Sequence, residues 1–113
     1  MNTELGKIER VSFGHGGYQD AMLGLQVTIS GDGWGVSTTK SAWDAKMIEC
    51  REHAQWSEED RSKQYDEIMR YVSELLAAAK GPSVDKLKGI PVEATFEGEG
   101  AKLESWRVLT EVL

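Results

Sequence analysis

Cys50 and His53 stand three positions apart, a spacing at which a thiolate and an imidazole on one helix face can share a metal ion. Zinc sites ordinarily take three or four ligands. The only other histidine is His15 and there is no second cysteine, so the pair falls short of a metal site and Cys50 reads as a buried or half-buried thiol. Acids gather at Glu58, Glu59 and Asp60 and again at Asp66 and Glu67, and paired carboxylates are the usual equipment of acid–base catalysis. Here they fall at the start and along the polar side of a predicted helix, where they cap and solvate it instead. Ser57, Ser62 and Ser73 lie near no histidine in the sequence, and nothing resembles a nucleophile elbow.

The run Gly14-His15-Gly16-Gly17-Tyr18-Gln19-Asp20 has the glycine content of an anion-binding nest. It lacks the lysine and following helix of a P-loop and the spacing of a dinucleotide fingerprint, so it reads as a loop joining two strands, with Tyr18 as an exposed contact. No catalytic, cofactor-binding or metal-ligating residue is therefore assigned, and an enzyme would need an ordered metal or a deep cleft with converging polar groups. Four tryptophans, Trp34, Trp43, Trp56 and Trp106, are many for a chain of 113 residues. Two readings stand side by side: all four pack in the core, or some serve as binding anchors. Tryptophan brings large contact area at small rotamer cost, and Trp34 and Trp43, flanked by glycine, serine and threonine, join Tyr18 as the candidate partner-binding residues.

These residues need elements to hold them. Residues 5–13 predict a strand with Lys7, Glu9, Val11 and Phe13 on one side. Ala21–Ser30 alternates cleanly, with Ala21, Leu23, Leu25, Val27 and Ile29 against Met22, Gly24, Gln26 and Thr28. Gly31-Asp32-Gly33 turns the chain into a short third strand over Trp34–Thr38, after which Thr39–Gln55 reads as an irregular excursion. A helix runs from a Ser57 cap to Lys80, its stripe being Tyr65, Ile68, Met69, Val72, Leu75, Leu76 and Ala79. Gly81 is expected in the left-handed cap, and Pro82 forbids continuation. A capped turn over Ser83–Lys88 precedes a strand carrying Ile90, Val92, Ala94 and Phe96 on one face, with Pro91 marking an edge or a strand beginning. A C-terminal hairpin follows, with Trp106, Val108, Thr110 and Val112 on one side. The pieces assemble as an α+β fold, β-β-β-α-β-β: an antiparallel sheet with one long helix on its apolar face, in a single domain spanning 1–113.

Composition narrows the function classes. A chain of this length buries roughly 65% of its unfolded surface, enough to fold without a disulfide or metal. With 40% hydrophobic and 28% charged residues and two prolines, it is globular rather than disordered. No apolar run approaches the roughly 20 residues of a membrane span, and Met1-Asn2-Thr3-Glu4 lacks the features of a secretory signal, so the cytoplasm is the expected location. Net charge of -6 disfavours direct nucleic-acid binding, because phosphate contacts need cations.

The strings Gly14 to Asp20, Gly31-Asp32-Gly33-Trp34-Gly35-Val36-Ser37 and Ser105-Trp106-Arg107-Val108-Leu109-Thr110-Glu111-Val112-Leu113 together resemble a family of small conserved proteins of bacteriophages and prophages. The likeness spans most of the chain outside Thr39–Trp56. It implies a phage or prophage product acting in a bacterial cytoplasm, and brings no catalytic residue with it. The leading expectation is a non-enzymatic protein that binds a host or phage protein through Tyr18, Trp34 and Trp43. A host defence or nucleic-acid-processing complex is the narrower target, its basic groove matched by an acidic surface. The alternative is a small-ligand or single-stranded nucleic-acid module using aromatic residues on the sheet as a stacking platform. Self-association is open through an edge beginning at Pro91 or ending at Val112.

Overall fold

The alternation read over Ala21–Ser30 is realised as a strand of ten residues in the computed structural model, which describes residues 2–16, 22–43, 58–97 and 102–113. Five strands are present in that set: β1 (Asn2–Gly16), β2 (Met22–Gly31), β3 (Trp34–Trp43), β4 (Pro91–Phe96) and β5 (Leu103–Val108). They form one antiparallel sheet in the order β3-β2-β1-β4-β5, and the helix α1 (Glu58–Ala79) follows β3. After α1 the chain returns to the free side of β1, where β4 pairs, so β1 lies at the centre of the sheet. The helix packs on β3 and β2 and also on β5. Contact with both sheet edges means that the sheet curls around the helix.

The core fills the space between them. Ile8, Leu25, Val27, Ile29, Leu87 and Val92 are fully enclosed, joined by Ala94, Val108, Leu75 and Ala79. Burying one such aliphatic side chain is worth roughly 1.5–3 kcal/mol before entropy is counted. In the predicted stripe, Ile68, Leu75 and Ala79 are buried while Met69 is exposed, and Tyr71, outside that stripe, is half-buried against the core. The stripe is thus rotated slightly from the reading that includes Met69.

Three strand ends and one register differ from the sequence reading, each for a local reason. β1 runs on through Gly14, His15 and Gly16, which pair with Gly24, Leu23 and Met22, so these residues are strand rather than loop. Its register shifts between Ile8 and Arg10, a bulge at Glu9 that moves Val11 and Phe13 onto the same face as Ile8 and opposite Val27 and Leu25. Lys7 therefore does not share a face with Val11. β3 extends to Trp43, taking in Thr39–Trp43, because β2 supplies a partner for every residue of it. β5 ends at Val108, and Thr110–Val112 forms a 3-10 turn instead of more strand. Arg107 stabilises that turn by donating from both terminal nitrogens to the Glu111 carboxylate, at 3.0 and 3.1 Å, and from Nε to Glu93 at 3.3 Å.

The helix stop also differs in detail. Gly81 N–H donates to the Leu76 carbonyl at 3.0 Å and Lys80 N–H to the Ala77 carbonyl at 3.3 Å, the paired bonds of a Schellman ending. The left-handed residue is Lys80, at φ 55°, and not Gly81. Among the described residues positive φ otherwise falls on glycine, at Gly33 between β2 and β3 and at Gly89 before β4, where Gly89 N–H reaches the Ile8 carbonyl at 2.7 Å.

Candidate functional site

Strand register sorts the side chains into two faces. Leu25, Val27, Ile29, Trp34, Val36 and Val92 face the helix, while Arg10, Ser12, Gly14, Met22, Gly24, Gln26, Thr28, Ser37, Thr39 and Ser41 face away. The outer face of β1–β2–β3 is therefore built from small and polar residues, the positions opposite the apolar ones in each alternating strand. Thr28 and Ser37 share a hydrogen bond at 2.8 Å across the β2–β3 pair, and Ser41 Oγ approaches Met22 Sδ at 3.9 Å.

An open groove of about 390 Å³ lies on this face, floored by Gly14, Gly16 and Gly24 and lined by Ser12, Gln26, Thr39 and Ser41. Met22, Phe13 and His15 border it as well. Glycine is required at one of these places: a Cβ on Gly24 would strike the Lys40 carbonyl and the Ser41 Cα of the neighbouring β3. The groove thus offers hydroxyls, one amide and bare backbone, a lining suited to hydrogen bonding with a neutral polar group.

The candidate residues separate. Tyr18 lies outside the described residues, in the connection between Gly16 and Met22. Trp43 is the last residue of β3 and pairs with Met22, so the ends of β1, β2 and β3 meet at the groove. The sheet end that carries Trp43 is thus the end from which the Tyr18 connection departs. Trp34 stands at the opposite end of β3. Its indole covers Gly6 and Gly31, where any Cβ would collide with it, and it meets Phe96 edge to face at 5.2 Å and 79°. Trp34 Nε1 is buried and has no hydrogen-bond partner among the described residues. Trp34 is a packing residue by these contacts, and Trp106 is half-buried against the same core.

Cys50, His53, Trp56 and Ser57 lie outside the described residues. Among the described residues, no group of three or more His, Cys, Asp or Glu side chains could hold a metal. The helix acids have cationic neighbours: Glu59 with Lys63 at 3.8 Å, Asp66 with Arg70 at 2.9 Å and, from α1 to β3, Glu67 with Lys40 at 3.5 Å. Hydrogen bonding to Asp66 and its charge raise the Arg70 pKa further. In the same way Arg107 holds the Glu111 carboxyl below its ordinary range. Among the described residues no helix is long and apolar enough to cross a membrane.

No protein-family model, curated protein or solved structure matches the chain significantly. The groove itself was missed by motif reading, because its lining carries no charged cluster. The signal for it was the second set of alternating positions in Ala21–Ser30, where Met22, Gly24, Gln26 and Thr28 occupy the face away from the core.

Proposed function

We propose that the chain is an accessory protein of phage or prophage origin that works in the bacterial cytoplasm by binding another protein, host or phage, without catalysing a reaction. One observation carries this reading: the connection containing Tyr18 and the end of β3 at Trp43 leave the same end of the sheet, beside an open polar groove. Tyrosine and tryptophan are enriched at the centres of protein-binding patches, and that enrichment assigns Tyr18 and Trp43 to the binding set. Trp34 leaves the binding set, because its surface is spent on Gly6, Gly31 and Phe96. Net charge of -6 suits a basic target, and the groove of a host defence or nucleic-acid-processing complex is the narrower form of the proposal.

The test is retention from a bacterial lysate on the immobilised protein, followed by mass spectrometry of what stays bound. Tyr18→Ala and Trp43→Ala should each lower retention of the captured protein by about tenfold, the loss of roughly 1.4 kcal/mol expected of a binding anchor. Undiminished retention by the folded double variant would remove the assigned site.

The groove supplies the observation for the second reading, a small-ligand module. Stacking of single-stranded nucleic acid has less to draw on, since the register turns Trp34, Phe96 and Trp106 toward the helix. Fluorescence titration with oligonucleotides at low salt separates the readings: binding that weakens steeply with added salt favours nucleic acid.

A further inference from the structure

The two edges of the sheet are unlike. β5 has six residues, a register shift against β4 and the Arg107–Glu111 pair with the 3-10 turn at its end, all features that blunt an edge. β4, which contains Pro91, is interior, so the edge expected there does not exist. β3 has ten residues, no proline, no bulge against β2 and one charge, Lys40, which is held by Glu67. Among the described elements, only β2 and α1 pack closely on it. An uninterrupted edge of that length presents a row of unpaired N–H and C=O groups and is a template for another strand.

The register indicates which strand fits. Gly31 and Trp34 flank the two-residue turn, so they form a hydrogen-bonded pair, and pairing alternates from there. Gly35, Ser37, Thr39 and Ser41 therefore direct their backbone N–H and C=O groups away from β2, to the open edge. Antiparallel pairing of two copies about a two-fold axis at Thr39 sets Thr39 opposite Thr39, Ser37 opposite Ser41, and Val36 opposite Ala42. Threonine and serine then meet hydroxyl residues on the outer face, apolar meets apolar on the inner one, and Lys40 faces Thr38 rather than another charge.

We infer that β3 pairs with β3 of a second copy of this chain about Thr39, joining two sheets into one of ten strands with the two grooves side by side. Light scattering after gel filtration should find a dimer at micromolar concentration. Thr39→Pro deletes an N–H that points away from β2 and toward the second copy and leaves the β2 ladder whole, so the variant should melt as the parent does while dimer affinity falls by about tenfold or more. In a Cys50→Ser background, Thr39→Cys should oxidise to a disulfide-linked dimer, because directly opposed antiparallel residues bring their Cα atoms within the disulfide range. A monomeric parent overturns the inference. So does a dimer that is indifferent to a folded Thr39→Pro variant or that fails to cross-link through residue 39. Lysate capture by a monomer would leave the protein-binding proposal standing while removing this one.

Discussion

Trp34 meets Phe96 edge to face across the core, ring centroids 5.2 Å apart, and each belongs to a different half of the sheet. Trp34 starts β3 and Phe96 ends β4, while the indole bridges the strands between them by lying on Gly6 of β1 and Gly31 of β2. The pair binds the N-terminal hairpin to the strands that follow the helix. Trp34→Ala should accordingly destabilise the fold by roughly 3 kcal/mol, the scale of a large aromatic truncation. Trp34→Phe should cost less, since it keeps an aromatic ring and removes the buried N–H that has no partner among the described residues. Chemical denaturation measures both, and equal losses would contradict the packing role.

Gly24 of β2 lies beside β3, under the groove. Gly24→Ala places a methyl against the Lys40 carbonyl and the Ser41 Cα, backbone atoms that cannot swing aside. The expected loss is about 1–3 kcal/mol, as for an overpacked core site, with urea unfolding as the measurement. Gly14→Ala is the control: open space surrounds its missing Cβ, and its cost should be small.

Lys80 ends α1 in the left-handed conformation that an L side chain adopts at a cost, while the glycine one position on does not use its freedom there. Lys80→Gly should stabilise the protein by about 0.5–1 kcal/mol, seen as a higher denaturation midpoint at unchanged slope. A lower midpoint would mean that the lysine side chain matters more than its backbone strain.

The fold was legible where one pattern dominated and obscure where two competed. β2 and α1 could be read because their apolar positions repeat without interruption. β1 could not be read fully, since one extra residue at Glu9 changes the face of everything after it and a bulge leaves no mark in composition. Gly14 and Gly16 looked like loop because glycine is a poor strand former, yet both pair with β2 and are strand, with open space around their missing Cβ atoms. Thr39–Trp43 looked irregular because its apolar residues are few, while its strand character comes from pairing with β2 and from the outer face it shares with Gln26 and Gly24. Trp34 shows the same limit. Glycine and serine neighbours suggested exposure, whereas the glycines that matter, Gly6 and Gly31, are those beneath the ring.

Burial of the Tyr71 phenol predicts a loss of stability in the alkaline range. The phenol is half-buried beside the core, and desolvation raises its pKa above the ordinary tyrosine value of about 10. With the folded pKa above the unfolded one, the unfolded chain loses this proton first as pH rises. The native state therefore keeps its full stability below the unfolded pKa and loses part of it as pH climbs through the folded pKa. Tyr71→Phe removes the ionisable group, and a Phe ring occupies the same apolar contact. The variant should lose less stability than the parent when thermal or urea unfolding is followed from neutral pH into the alkaline range. Parallel curves for the two proteins would show that burial of this phenol does not govern the alkaline transition, and would direct attention to the lysines instead.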